Sequence, residues 1–403
     1  MRSVATPSTR EVLQLLRVYE SPNVTFQDPA AKWPMVWSRA RGCHVWDPEG
    51  RRYLDLTAAF GVAAIGHSNP VVVRAGRHQM GMLLHAMGDV HPHPLKAQLL
   101  RELSALTFER WGAGGARSIL GSAGFEAVEA ALKTARLATG RPGIVAFQGA
   151  YHGLGYGALN ATERGLFRDP FRDQLREFGT FVPFPTDPPE TTRDGRSPTR
   201  SLEALERTLK RILKRGTTGA ILVEPIQARG GIRIPPHGFL PLLRQLCDEH
   251  GVLLVLDEIY TGLGRTGRWF ACEHSGVVPD LLCLGKALTG GFPLSACVGK
   301  ASVMEAAWPK SHGEALHTST FLGHPVGCAM ALAQIAELRR RDLPARAARE
   351  GEILTTRLQT IAQGMRRLRA TARGLGLMVG LELHTLGGQP AGTAAVRLVQ
   401  RML

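Results

Sequence analysis

Between about residue 115 and residue 300 two hydrophobic patterns alternate. One is the short continuous apolar run. "RSIL" (117–120), "GIVAF" (143–147), "AILVE" (220–224), "VLLVLDE" (252–258), "LLCLG" (281–285) and "LSACVG" (294–299) are of this kind. The other is the amphipathic stretch of helical period, as in "FEAVEAALKTARLATG" (125–140), "SLEALERTLKRILKRG" (201–216) and "FLPLLRQLCDEHG" (239–251). Strands that are apolar on both faces and alternate with helices predict an α/β fold, with a mainly parallel sheet covered on both sides. The polar, Pro-rich stretch "PTDPPETTRDGRSPT" (185–199) predicts a surface loop. The two ends of the chain are more helical and richer in arginine. The expected division is an N-terminal segment, 1–50, that joins a small domain, a large domain over 51–310, and a C-terminal part of the small domain over 311–403.

An open α/β sheet binds its ligand beyond the carboxyl ends of its strands. The residues just past each apolar run therefore matter most. After 120 comes "GSAGFE", after 147 "QGAYHG", after 224 "PIQARGG", after "VLLVL" "DEIYTG", and after "LLCLG" a lysine, Lys286. Small residues leading into a helix suit a phosphate, through free N–H groups and the helix dipole. The same residues could simply cap the helix. Asp257 closes an apolar run and needs a partner or a ligand. A structural ion pair would satisfy it too. Tyr151 offers an aromatic face, or a core wall.

Composition sharpens the reading of Lys286. The chain has eight lysines and forty-one arginines. A lysine chosen against that background, in an apolar setting, suggests amine chemistry. A strand-end lysine that snorkels to solvent is the ordinary alternative. A phosphate cradle, a lysine for an aldehyde, an acid for a ring nitrogen and a stacking aromatic together describe a pyridoxal-phosphate site.

The net charge of +15 invites a nucleic-acid reading. The arginines, however, are spread through helical stretches such as "ELRRRDLPARAARE" (337–350) among acidic residues, and no basic tail stands out. No nucleic-acid partner is expected; a general attraction for anionic substrates is. The six cysteines show no CxxC and read as reduced thiols of a cytoplasmic protein. No apolar run is long enough to span a membrane, and no signal-peptide h-region is evident. "HPHP" (91–94) lacks a third ligand nearby, so it reads as a turn and no metal site is expected. "GLGRTG" (262–267) fits the dinucleotide fingerprint by letter, but neither a directly preceding strand nor a long following helix with its acid accompanies it. It reads as a flexible loop. "LLVLDE" lacks the companion phosphate-loop motif.

With these residues assembled, the chain resembles the class III aminotransferases, of the fold type I pyridoxal-phosphate enzymes. The resemblance runs from "GCHVWDPEGRRYLDLTAAFGVAAIGHSNP" (42–70) to "RGLGLMVGLEL" (373–383). Its most specific stretches are "EAVEAALKTAR" (126–136), "YHG" (151–153), "VEPIQ" (223–227), "DEIYTGLGRTG" (257–267), "LGKALTGGFPLSA" (284–296) and "HTSTFLGHP" (317–325). It implies a large domain with a mainly parallel seven-stranded sheet between helices, and a small α+β domain. Pyridoxal 5'-phosphate is the implied cofactor. Lys286 would hold it as a Schiff base and later move the substrate proton. Asp257 would pair with the ring nitrogen, and Tyr151 would stack on the ring. Ala123, Gly124 and Phe125 would form the phosphate loop. Tyr260 stands where the family usually has Gln or a small residue, near the ring hydroxyl. Ser319 and Thr320 resemble residues that reach the phosphate of the neighbouring subunit, which implies a homodimer with active sites at its interface.

The implied reaction is ping-pong transfer of an amino group from a primary amine or ω-amino acid to a 2-oxo acid. Racemases, epimerases and aminomutases of the same family are the runner-up, and an inactive binding protein of the same fold the third reading. Arg373 resembles the arginine that clamps a substrate carboxylate. Three departures bear on substrate. Leu154 replaces the arginine of "YHGRT". Arg229 replaces a glutamate that, in the family, neutralises the clamp arginine; the anion site could thereby be relocated, or Arg229 could point outward into an ion pair. Phe125 replaces a small residue, and its ring must find room, toward a dimer contact. Twenty residues follow Leu383, fewer than is usual in the family, so the small domain is expected to be reduced or truncated.

Overall fold

The computed structural model describes residues 7–26, 34–186 and 198–402. Most of the stretch 185–199, expected as a surface loop, lies outside them. After the helix Thr9–Tyr19 come three short strands, β1 (Arg39–Arg41), β2 (His44–Trp46) and β3 (Arg52–Leu54), an antiparallel sheet in that order. The central sheet has seven strands: β4 (Ala116–Gly121), β5 (Gly143–Phe147), β6 (Gly179–Val182), β7 (Thr218–Val223), β8 (Leu253–Asp257), β9 (Leu281–Leu284) and β10 (Ser295–Lys300). Their order is β4-β10-β9-β8-β7-β5-β6. β10 runs antiparallel to both neighbours, and the remaining pairs are parallel. All six apolar runs picked out above are strands of this sheet. β6 is the one not anticipated. It is an edge strand with alternating exposure, and "GTFV" carries no sustained apolar run.

The sheet is buried on both faces, as its sequence requires. Along β8, Leu254 and Leu256 face one core while Val255 faces the other. Along β9, Leu282 and Leu284 oppose Leu281 and Cys283 in the same way. This is the period of two expected of strands. The helix Gly124–Thr139 closes one face with small residues, Ala127, Ala130, Ala131 and Ala135, which allow close approach to the sheet. Gly140, at φ +68°, ends it in the left-handed conformation that favours glycine. The other face is covered by helix Phe239–His250 and by Leu99, Leu103 and Phe108.

The helix Pro325–Arg340 packs against helices Pro70–Met82 and Pro94–Ser104. Its Cys328, Ala331, Ile335 and Leu338 join the core on that face. The helix Leu343–Gly364 lies on a hairpin of β11 (Arg369–Leu375) and β12 (Met378–His384). "GLGRTG" differs from the flexible loop expected of it. Leu263 and Thr266 are buried, the Gly264 N–H donates to the Trp269 carbonyl at 3.1 Å, and the Leu377 N–H donates to the Arg265 carbonyl at 2.9 Å. The turn of the C-terminal hairpin sits on this loop and immobilises it.

His93 of "HPHP" is buried at the start of helix Pro94–Ser104, with Nε2 2.7 Å from the Gly323 carbonyl oxygen. Among the described residues no group of His, Cys, Asp or Glu could hold a metal ion, and no helix is long and apolar enough to cross a membrane. The six thiols are free, five of them buried and Cys43 exposed.

Candidate active site

The carboxyl ends of β4, β5, β7, β8 and β9 reach one edge of the sheet and border a cavity of about 720 Å³. Gly124, Phe125, Tyr151, Arg229, Asp257, Tyr260 and Lys286 all line it. The sequence pattern singles out each of them. Phe60, Leu154, Ile259 and two polar residues that it does not single out, His152 and Glu224, line it as well.

β8 delivers Asp257, which is 5% exposed. Its Oδ2 lies 2.7 Å from His152 Nδ1, and its Oδ1 accepts from the Ile259 N–H at 3.1 Å. His152 Nε2 is buried and has no hydrogen-bond partner among the described residues. β7 delivers Glu224, whose two oxygens accept from the Tyr151 and Ala228 N–H groups, each at 3.0 Å. Burial pushes the Glu224 carboxyl up to about 7, against the pull of His152, and neighbouring Asp257 adds to the rise.

β9 delivers Lys286 through a sharp turn. Gly285 lies close over Ile259, where a side chain would crowd, and Lys286 itself has φ +38°. A non-glycine residue in that region is strained, and such strain gathers at functional sites. Burial lowers the Lys286 ammonium below its ordinary value, partly offset by Asp257 and Glu224, while the Arg229 charge lowers it further. Its Nζ stands 4.4 Å from the centroid of the Tyr260 ring. The phenol of Tyr260 is raised by burial.

At the head of helix Gly124–Thr139, the Glu126 carboxylate turns back and accepts from the Ser122 N–H and, at 3.2 Å, from the Ala123 N–H. Ala123 therefore spends its N–H inside the protein. Gly124 and Phe125 are the first helical residues, and their N–H groups have no carbonyl one turn back to reach. The Phe125 ring packs against Gly155, in the loop after Tyr151, where the missing side chain leaves room.

Three predicted residues stand apart from the cavity. Ser319 and Thr320 are exposed, and the Ser319 carbonyl accepts from the Leu322 N–H at 3.1 Å. Arg373, on β11, is engaged by Glu382 of β12 at 2.6 Å and by the carbonyls of Gly231 and Ile232. Arg229 is at the cavity mouth, with its guanidinium 4.2 Å from the centroid of the Tyr151 ring.

These residues fit pyridoxal phosphate. A partly buried amine with a depressed proton affinity suits an aldehyde. A buried carboxylate suits a protonated ring nitrogen, and the unpartnered His152 Nε2 leaves a polar atom for further contact. The open helix start suits a phosphate.

Comparison with known proteins points the same way. A family model described as Aminotransferase class-III matches residues 25–397. The chain belongs to this family. It is 37% identical over 355 residues to an acetylornithine aminotransferase of Methanopyrus kandleri, covering 88% of this chain and 82% of the relative. It is 38% identical over 390 residues to a putrescine aminotransferase of Pectobacterium atrosepticum, covering 93% and 77%. Among solved structures, an amine transaminase from an uncultivated Pseudomonas species, in its PLP-bound form, superposes with a TM-score of 0.83 at 31% identity, covering 93% of this chain and 86% of the other. The protein is thus a pyridoxal-phosphate-dependent transaminase that moves an amino group between an amine and a 2-oxo acid.

Proposed function

We propose that the amino donor is a primary amine or ω-amino acid, that the acceptor is a 2-oxo acid, and that the two bind in turn at the cavity of Lys286 and Asp257. One observation carries this reading: a partly buried lysine of lowered proton affinity shares the cavity at the edge of the sheet with a buried carboxylate. Lys286 Nζ would hold the cofactor aldehyde covalently, Asp257 the ring nitrogen, Tyr151 one ring face, and the Gly124 and Phe125 N–H groups the phosphate. Ala123 shapes the loop before them, and Tyr260 lies beside the lysine. Pyridoxal phosphate supplies, when bound, a sink for the electrons of a breaking C–H bond.

The chain's own groups do the rest. Lys286 Nζ would be the base that takes the substrate proton and the acid that returns it. Burial lowers its proton affinity, the direction that a base requires. His152 and the Ile259 N–H fix the Asp257 carboxylate in place. Tyr260 stands beside the amine, with its ring centroid 4.4 Å from Nζ.

We also propose a homodimer in a cytoplasmic setting. Met80, Met82, Leu84, Met87, Val90, Leu316 and Phe321 are large apolar residues left exposed on the isolated chain, a surface suited to a second copy. Ser319 and Thr320, beside Phe321, would then reach the partner's phosphate. Residues 51–310 would be the cofactor-binding unit, with 1–50 and 311–403 forming the second unit and helix Pro325–Arg340 joining the two cores.

The purified holoenzyme should convert pyruvate or 2-oxoglutarate to its amino acid in the presence of one member of an amine panel, with the donor appearing as aldehyde or ketone. Loss of optical activity in the donor, with no 2-oxo acid consumed, would replace this reading with racemisation. A cofactor band that no donor bleaches would leave only a binding protein.

A further inference from the structure

Two arginines meet at the loop 228–233, Arg229 on it and Arg373 against it, and they are employed differently. Arg373 is used inside the protein. Its Nη1 donates to Glu382 Oε2 at 2.6 Å, its Nε to the Ile232 carbonyl at 2.9 Å and its Nη2 to the Gly231 carbonyl at 2.8 Å. Its side chain is 12% exposed. A guanidinium has five N–H donors, and these contacts use it as a bracket between β12 and the loop 228–233. That loop needs a bracket. Ile232 has φ +52°, a left-handed conformation that a β-branched residue adopts only when its surroundings impose it. Arg373 grips the carbonyls of Ile232 and of its neighbour Gly231.

Arg229 sits on the same loop and is placed otherwise. It lines the cavity, lies over Tyr151, and has Phe167 at 5.8 Å. No carboxylate among the described residues lies within ion-pair distance of it. The carboxylates of the cavity are already committed, Asp257 to His152 and the Ile259 N–H, and Glu224 to the Tyr151 and Ala228 N–H groups. The cavity therefore presents one guanidinium that lacks an anion and one amine reserved for chemistry.

We infer that Arg229 recognises the substrate carboxylate, and that Arg373, anchored by Glu382, is a positioning residue that holds the Arg229 loop in place. This rests on the transaminase reading and narrows it. No internal carboxylate covers Arg229 when a neutral amine binds, so partners that carry a carboxylate are favoured over neutral amines of the same length. Bidentate geometry toward a carboxylate is the reason an arginine serves there.

The test compares 4-aminobutyrate with n-butylamine by single-turnover bleaching of the holoenzyme, and measures binding of the unreactive dicarboxylate glutarate by calorimetry. In Arg229→Met the ratio of kcat/KM for the acid over the amine should fall about 10–100-fold, the range expected for one charged hydrogen-bonded contact, and glutarate affinity should fall with it. Arg373→Gln should lower both by less, and should add nothing in the Arg229→Met background. Glu382→Gln should leave the ratio nearer to wild type than Arg373→Gln does. An unchanged ratio and glutarate affinity in Arg229→Met overturns the inference. So does Arg373→Gln removing a preference that survives Arg229→Met, or Glu382→Gln raising the ratio tenfold, since in either case Arg373 itself holds the carboxylate. Failure of the transaminase reading looks different: the wild type binds glutarate, yet neither amine bleaches the cofactor band.

Discussion

The cavity has two ends built by different means. At the cofactor end, every polar side chain leaves the tip of a strand or the residues just after it. Asp257 ends β8, Lys286 follows β9 by two residues, and Glu224 follows β7 by one. The strands are fixed by a core packed on both faces, so these groups inherit the rigidity of the sheet. At the substrate end the scaffold is a loop, 228–233, braced against the hairpin β11–β12 by one guanidinium. The cofactor end is held by the fold as a whole, whereas the substrate end is a short loop closed by its own backbone bonds and braced from outside by a few side-chain bonds. The first suits chemistry that every substrate shares. The second can change with few substitutions, and specificity belongs there.

The sharpest way to break this contrast is at Lys286. If the rigid end supplies the one amine that moves the substrate proton, no neighbour can replace it. Lys286→Ala should fold normally and lose at least about 10³-fold in single-turnover rate, in line with removal of both a covalent anchor and a general base. It should also release cofactor on dialysis. A variant that kept its rate within tenfold of wild type would move the chemistry to another group.

The same contrast explains what could be read from the sequence. The strands β4, β5, β7, β8, β9 and β10 were legible because burial on both faces writes a continuous apolar run. The residues at their tips were legible because a polar group directly after such a run has few reasons to be there. Depth was not legible. "YHG" and "VEPIQ" gave no sign that His152 would pair with Asp257, or that Glu224 would be buried with a carboxyl near neutrality. The employment of Arg373 was hidden too. Glu382 lies nine residues on, and only the hairpin register, with Arg373 opposite Gly380, brings it alongside. "GLGRTG" read as loose because its cover, Leu377, comes from more than a hundred residues away.

A second prediction sharpens the rigid end through pH. Burial raises Glu224 from 4.5 to about 7. Between those values the folded state keeps a proton that the unfolded chain has lost. Stability from this group is therefore complete below about pH 4.5 and is lost as pH rises through about 7. Buried Glu258, raised to about 7 in the same way, acts in the same direction. Glutamine at 224 stays neutral throughout, so Glu224→Gln should recover up to about 3 kcal/mol relative to wild type between pH 5 and pH 8. Its amide would face one of two backbone donors at every pH, a constant cost, so the slope carries the information rather than the absolute value. Denaturant unfolding of the apoprotein across that range measures it. Equal slopes in the two proteins would mean that Glu224 is ionised in the fold at pH 5.

The smallest effect sought lies at the braced end and tests whether bracing is what matters there. Gly231 has φ +111°, yet a methyl group on it would meet only Arg373 Nη2, at an ordinary 3.6 Å. Alanine at this position is thus strained but not blocked, and should cost about 1–2 kcal/mol of stability. The loop can relieve that strain by rotating, and rotation pulls the Gly231 carbonyl off Arg373. Arg229 lies two residues earlier and turns with it. Gly231→Ala should therefore lower the preference for carboxylate-bearing amines while leaving Lys286 chemistry with n-butylamine near its wild-type rate. The two readouts separate because the sheet that carries Lys286 does not share the loop's freedom. A lowered melting temperature with an undiminished acid preference would show that Arg229 keeps its place without the brace, and the distinction between a rigid end and a braced end would then fall.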